Sequence, residues 1–359
     1  MYTIRDIARL AQVSTATVSY VINGKTRVSE PLKRRVLDAM SALDYHPDQV
    51  ARSLKVRRTC VIGVVIPDVS NPFYAEVMRG IEDEARASGY SVIFCNTNEN
   101  PELERQYLNT LFARRVDGVL IASDTVNLGE HRLAKRRWPM VFFDRTPPSY
   151  SGAAVVTNNL EASRAATRHL IGLGHVKIAI IAGWKELSVS MIRLEGFREA
   201  LQESGIALPE PYVKLGDVLK LESGYRKGRE LMMLPTPPTA IFCCNNRLTL
   251  GLMRALGELN IPCPEKVSVL AFDDFEWISS FRPYLTTVAQ PTHLIGKRAA
   301  EMLVRMMQRG TDDPQGSDEG VVVLPNELRI RESTSPPSYT LTTAVNPEIT
   351  SRVDHPAME

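Results

Sequence analysis

From Cys60 onward the chain alternates short apolar runs with longer amphipathic segments. The strand-like runs are Val61–Ile66, Ser91–Cys95, Gly118–Ala122, Met140–Phe143, Lys177–Ala182, Ala240–Cys244 and Val267–Phe272. Between and after them lie segments with helical periodicity: Phe73–Ser88, Pro101–Arg115, Glu161–Leu173, Val189–Ser204, Glu222–Met233, Asn246–Leu259 and Pro291–Arg309. Strand–helix alternation of this kind implies parallel sheets covered by helices on both faces. With about 270 residues available, two such lobes are expected rather than one.

A doubly wound α/β body suits many enzymes, each of which needs its own motif. A dinucleotide site requires a Gly-rich turn after a strand and opening a helix. The nearest text, Gly172-Leu173-Gly174-His175, follows a helix and precedes a strand, so its glycines read as a helix C-cap. Neither a P-loop nor a Gly-x-Ser-x-Gly elbow is present. None of the six His accompanies a Ser or Cys nucleophile in motif context, and His175 and His293 read as surface or loop residues. The five Cys show no metal-ligand spacing and no disulfide framework. Adjacent Cys243 and Cys244 would point to opposite faces of a strand. The reading is therefore no catalytic residues, no metal and no cofactor. No run of 18 apolar residues could span a membrane, and the start lacks an apolar signal region, so a cytoplasmic location is expected.

Charge divides the chain. Residues 1–58 carry 11 Lys or Arg against 5 Asp or Glu, a net of +6, while the remainder is net −4. A basic module on a mildly acidic body suggests that one end meets a polyanion. In that module Thr3 and Asp6 have capping-box spacing before Ile4, Ile7 and Ala8. Ala11-Gln12-Val13 is a tight turn, and Ser14 caps a second helix from Thr15 to about Ile22, ended by Asn23-Gly24. Ser29 caps a third, with Leu32, Val36, Met40 and Leu43 as its apolar stripe. Two short helices across a three-residue turn, buttressed by a third, describe a helix-turn-helix. Its second helix turns Thr15, Ala16, Thr17 and Tyr20 outward, where hydroxyls and methyls can meet base edges in a major groove. A generic three-helix interaction bundle is the alternative on this pattern alone.

The segment Asp48–Lys55, after Tyr45-His46-Pro47, adds a further short helix with basic residues at its end. With it, residues 2–55 resemble the headpiece of the LacI/GalR family of bacterial repressors. The resemblance rests on Thr3-Ile4-Arg5-Asp6-Ile7-Ala8, Val13-Ser14-Thr15-Ala16-Thr17-Val18-Ser19, Val21-Ile22-Asn23-Gly24, and Tyr45-His46-Pro47 through Val50-Ala51-Arg52-Ser53-Leu54. It continues through Pro67–Tyr74, Gly80-Ile81-Glu82, Gly89-Tyr90, Arg115–Gly118, Gly174-His175, Arg193–Phe197, Asp273-Asp274 and Glu327–Ser333.

The resemblance implies an all-α helix-turn-helix headpiece with a hinge helix, followed by an α/β two-lobed, periplasmic-binding-protein-like core of doubly wound parallel sheets. It divides the chain into a DNA-binding domain at 1–47, a hinge at 48–58 and a core at 59–335. The N-lobe would be about 59–158 plus 290–318, the C-lobe about 159–289 plus 319–335. The aperiodic Ser/Thr/Pro tail at 336–359 is expected to be disordered.

It further implies a homodimer that binds a near-palindromic double-stranded DNA operator as a repressor and answers to a small-molecule effector, a carbohydrate or related metabolite, between the lobes. Base readout falls to Thr15, Ala16 and Tyr20. Ser14, Thr17, Asn23 and Ser29 would hold phosphates or set the register, and Thr3 and Tyr45 join them as DNA-binding residues. Ala51, Ser53, Leu54 and Lys55 belong to the hinge, with Leu54 as the wedge that opens a central base step. Effector contact falls to Arg193, Asn245 and Asp273. The strand-end residues Ser70, Asn71, Phe73 and Asp144 join them, Phe73 offering an apolar face to a sugar ring. A structural ion pair is the bland alternative for Arg193 and Asp273. Three departures leave the ligand open: Asn246 where many relatives are acidic, Asn158-Asn159 where Asp-Asn is usual, and a Gly216–Leu219 loop without a stacking aromatic. The rival readings are a sugar-binding protein with no DNA role and an enzyme on the same scaffold.

Overall fold

The computed structural model describes residues 2–22, 28–45, 58–126, 138–148, 150–216, 219–280, 282–309 and 320–338. Two compact units divide the chain: residues 1–60 with 115–117, and all the rest. The expected hinge helix, Asp48–Lys55, and most of the expected tail at 336–359 lie outside the described residues.

In the first unit, α1 (Ile4–Leu10), α2 (Thr15–Ile22) and α3 (Glu30–Ala42) pack around Ile7, Ala8, Ala11, Val18, Val36 and Ala39. The Asp6 carboxylate accepts from the Thr3 N–H (2.9 Å) and hydroxyl (2.8 Å), which holds it below the usual carboxylate range. The α1–α2 turn places Gln12 at φ 50°. Arg35 then ties α3 to that turn by donating to the Ala11 carbonyl (2.6 Å). Ser14 Oγ accepts from the Thr17 N–H (3.1 Å), the expected cap. Ser29 occupies the N-cap of α3, but its side chain makes no capping bond, a correction to its expected role. Pro31 at the start of that helix already removes one of the N–H groups a cap would satisfy.

The second unit holds two six-stranded sheets of matching topology. The N-lobe sheet runs β2 (Ser91–Asn96), β1 (Val61–Ile66), β3 (Gly118–Ile121), β4 (Met140–Phe143), β5 (Ala154–Thr157), β11 (Val321–Leu324). The C-lobe sheet runs β7 (Val213–Leu215), β6 (Ile178–Ala182), β8 (Ala240–Cys243), β9 (Ser268–Phe272), β10 (Thr286–Ala289), β12 (Glu327–Arg329). All pairings are parallel except β10–β12. The helices are α4 (Pro72–Ala87), α5 (Pro101–Ala113), α6 (Asn159–Gly172), α7 (Ser188–Glu203), α8 (Leu221–Met232), α9 (Asn246–Glu258) and α10 (Thr292–Arg309). Cys243 and Cys244 enter different core clusters, as alternation along a strand requires.

Three corrections to the sequence reading follow. Strands β5, β7, β10, β11 and β12, each three or four residues long, were not predicted. The final crossover lies later than expected, because β11 pairs with β5 of the N-lobe (Val321↔Ala154) and only β12 belongs to the C-lobe. His175 is buried (1% exposed), bonded through Nδ1 to Thr239 Oγ1 (2.9 Å) and through Nε2 to the Ser335 carbonyl (2.9 Å).

The chain passes between lobes at Asn158, Gln290 and Pro325-Asn326, and these passages are bonded together. Thr157 Oγ1 donates to Gln290 Oε1 (3.0 Å), and the Asn326 N–H donates to Asn158 Oδ1 (2.7 Å). Helices α4 and α10 cross backbone to backbone at Gly80 and Gly296; a Cβ on Gly296 would stand 1.9 Å from the Val77 carbonyl oxygen. Among the described residues no helix is long and apolar enough to cross a membrane.

Candidate effector cleft and nucleic-acid interface

In the headpiece, Val18 points inward with no exposure, which fixes the opposite face of α2 outward. Thr15, Ala16 and Tyr20 are exposed there and Thr17 is half-buried, with its hydroxyl against Ser14 Oγ (2.9 Å). Ser14 and Ser29 are exposed at their helix starts, while the Thr3 hydroxyl is committed to Asp6. Tyr45 is half-buried against the headpiece core, so much of its ring serves packing. Asn23, Ala51, Ser53, Leu54 and Lys55 lie outside the described residues.

In the core, strand carboxyl ends of the two lobes face each other, and the side chains there interlock. β4 and β9 hold corresponding places in the two sheets, and each ends in an aspartate with positive φ: Asp144 at 63° and Asp273 at 78°. A non-glycine residue pays about 1–2 kcal/mol for that conformation, so surrounding bonds must hold it. Asp144 accepts from the Tyr74 hydroxyl (2.8 Å) and faces Arg145 Nε at 3.5 Å. Asp273 accepts from Gln290 Nε2 (2.7 Å), Asn246 Nδ2 (3.1 Å) and the Asn246 N–H (3.3 Å). Asn245 caps α9 through the Arg247 N–H (2.9 Å) and reaches Asp273 at 3.5 Å.

Arg193 rises from the first turns of α7 into this cluster at 4% exposure. Its Nε donates to Asn159 Oδ1 (2.8 Å), its Nη1 to the Cys244 carbonyl (2.7 Å), and its guanidinium lies 3.5 Å over the Phe272 ring. Among the described residues no carboxylate comes within 4 Å of it, so the expected alternative of an Arg193–Asp273 ion pair is not realised. Burial lowers its affinity for a proton, and the charges of Asp273 and Asp144 oppose that shift. The guanidinium stays cationic, because arginine does not deprotonate in proteins. Burial likewise raises Asp144 and Asp124, with Arg145 pulling both back. Arg145, by contrast, is matched: it forks onto Glu99 at 2.8 and 2.9 Å.

The sequence-predicted residues Asn71, Asp144, Arg193, Asn245 and Asp273 are thus buried in one polar cluster, with Ser70 at its exposed rim. Phe73 differs from expectation. Its ring is 3% exposed, packed into the N-lobe core and edge-on to Tyr74, because position two of α4 tucks it beneath the helix. Sequence reasoning did not assign Tyr74, Glu99, Asp124, Asn159, Arg247, Phe272 or Gln290 to the site. Asp124, Phe272 and Gln290 were within reach of the strand-end rule; the others were fixed only by packing. Among the described residues no three His, Cys, Asp or Glu are grouped to hold a metal.

Residues 3–48 match the bacterial regulatory protein, lacI family, domain, and residues 167–334 match the periplasmic binding protein-like domain. The HTH-type transcriptional repressor PurR of Photobacterium profundum is 36% identical over 93% of this chain and 98% of its own length. The ribose operon repressor of Escherichia coli is 35% identical over 87% of this chain and 94% of its own. A crystal structure of the lac repressor dimer bound to operator and the anti-inducer ONPF superposes with a TM-score of 0.83 at 27% identity, covering 93% of this chain and 99% of that one. The chain therefore belongs to the LacI family of bacterial regulatory proteins and is a transcriptional regulator, not an enzyme.

Proposed function

We propose that this regulator is a homodimeric repressor that reads a near-palindromic operator through α2 and is controlled by a neutral carbohydrate in the inter-lobe cleft. Its relatives include the repressor PurR and a ribose operon repressor, and the cleft itself favours one ligand class. The observation that carries the reading is Arg193. It is a buried cation without a carboxylate partner among the described residues, and Asp144 and Asp273 stand in the same cluster on opposite lobes. A guanidinium donor between two carboxylate acceptors suits adjacent hydroxyls, which both donate and accept. Neither Phe73, which is enclosed, nor Phe272, which Arg193 covers, offers a flat base an open aromatic face.

On the DNA side, Thr15, Ala16 and Tyr20 meet base edges, while Ser14, Thr17, Asn23 and Ser29 position the headpiece on phosphates. Ala16 has no hydrogen-bonding side chain, so it reads a thymine methyl or groove shape. Two hinge segments, each with Leu54 as a wedge, occupy the minor groove at the centre of a site whose halves are separated by about 34–36 Å or a larger spacing. The protein acts in the cytoplasm, on the nucleoid when bound to DNA.

The test is a thermal-shift screen of the full chain against pentoses, hexoses, purine bases and the phosphates of both, because a ligand that binds only the native state raises its midpoint. The expected result is a rise with a neutral sugar, which then alters a gel shift on palindromic DNA. A rise with a purine base and with no sugar overturns the carbohydrate assignment. No preference for any duplex over random sequence, at any salt, overturns the operator reading.

A further inference from the structure

The amino end of α9 does more than line the cleft. Its first two residues, Asn246 and Arg247, belong to the C-lobe, and both reach the loop before α4 in the N-lobe. Arg247 Nη1 donates to Asp68 Oδ2 (2.5 Å) and to Ser70 Oγ (3.0 Å). Asn246 Nδ2 donates to Asn71 Oδ1 (3.0 Å) and, within its own lobe, to Asp273 Oδ2 (3.1 Å).

Both sides of this contact are pre-arranged. Asp68 uses its other oxygen, Oδ1, to accept from the Ser70 N–H (2.9 Å) and hydroxyl (2.6 Å), which leaves Oδ2 for Arg247. Asn71 Oδ1 also caps α4 through the Phe73 N–H (3.1 Å), and Asn245 Oδ1 holds the Arg247 backbone. These bonds orient the loop and the helix start for the contact, which lowers the ordering entropy that opposes it.

The amide at 246 is required by its partners. Both oxygens facing Nδ2 are acceptors, one on each lobe. A carboxylate there would face the Asn71 carbonyl oxygen and the Asp273 carboxylate without a proton to share, and at 1% exposure water could not screen the repulsion. Asn246 thus converts a repulsive lobe contact into an attractive one. Arg247, at 24% side-chain exposure, adds a weaker, partly screened bond at the mouth.

We propose that Asn246 and Arg247 form a latch that draws the two lobes together before any effector arrives. They are positioning residues: they act on the lobes rather than on the ligand, and they set how much ligand the response requires. An effector that fits the closed cleft then binds without first having to drive closure. The inference rests on reading this cleft as the effector site, but lobe closure can be measured without effector or DNA.

The experiment measures electron–electron distances between spin labels on the full-length protein, with Glu102→Cys in the N-lobe and Met233→Cys in the C-lobe, both exposed sites away from the latch, in a Cys60→Ser background. Ligand-free protein is expected to give one dominant short distance. Asn246→Asp should raise the open-to-closed ratio about tenfold or more, as expected for a lost buried bond plus a new repulsion. Arg247→Ala should raise it less, and Arg247→Lys should restore part of the closure. If Asn246→Asp fails to fold, Arg247→Ala decides the matter. A ligand-free distribution already dominated by the long distance, or one that neither folded variant alters, overturns the latch. Failure of the carbohydrate assignment leaves these distances untouched, so the two readings fall separately.

Discussion

Replacing Arg193 by Met keeps most of the side-chain volume and removes every donor. Two consequences can be worked from the geometry. In the free protein the Cys244 carbonyl and Asn159 Oδ1 lose their partners at 2.7 and 2.8 Å. Each orphaned acceptor costs ~1–3 kcal/mol. Against that, the fold no longer holds a buried cation whose nearest carboxylates are beyond 4 Å, and that desolvation penalty is several kcal/mol in proteins generally. The two effects oppose, so thermal stability should change little. Ligand binding has no such offset. One charge-assisted hydrogen bond is worth ~1.5–3 kcal/mol, so each bond lost to a sugar hydroxyl weakens binding by about 10- to 150-fold. Isothermal titration of the variant with the sugar that stabilises the wild type measures this directly, and a gel shift without ligand checks that basal operator binding persists. Unchanged sugar affinity in a folded variant would remove Arg193 from the site and with it the main support for the carbohydrate reading.

Other expectations concern separate parts of the chain. Leu54→Ala should weaken binding to the specific operator by about tenfold or more, since unstacking a base step costs a few kcal/mol that the wedge must supply. Sugar affinity should be unaltered, and intact operator affinity in a gel shift would count against the wedge. Gly296→Ala places a Cβ 1.9 Å from the Val77 carbonyl oxygen, so the α4–α10 crossing must part; a loss of about 3 kcal/mol is expected, read as a lowered melting midpoint. Burial lowers the pKa of His175. The unfolded chain therefore takes up the proton first as pH falls, so this contribution to stability is complete above about pH 6.5 and declines below it. His175→Gln should flatten that part of the stability–pH curve, and an unchanged slope would mean that other groups govern it.

The local features of this protein were legible in its residues. The Thr3–Asp6 start, the Ser14 cap and the outward face of α2 depend on bonds three residues apart and on helical periodicity, which a short window contains. Six of the seven predicted strands were legible for the same reason: β1, β3, β4, β6, β8 and β9 are almost wholly buried and read as continuous apolar runs, whereas β2, at the sheet edge, leaves Ile93 and Phe94 exposed. The family pattern added the placement of Arg193, Asn245 and Asp273 at one cleft. Local pattern misled where a residue's partners were distant. His175 follows a helix end and looks like a loop residue, but Thr239, Ser268 and the Ser335 carbonyl enclose it. Phe73 stands at a strand end, as ligand contacts do, but the N-lobe core claims its ring.

By itself, then, the sequence determined the order of the core helices and of seven of the strands, the basic helix-turn-helix module and the paired-lobe α/β class, because these follow from propensity, periodicity and charge along neighbouring residues. Only the tertiary structure decided that Val321–Leu324 joins the first sheet, that Arg193 lacks a carboxylate partner among the described residues, and that Asn246 and Arg247 grip a loop some 175 and 179 residues away. Contacts of that range are chosen by the folding of whole lobes onto one another, and no stretch of chain encodes them alone.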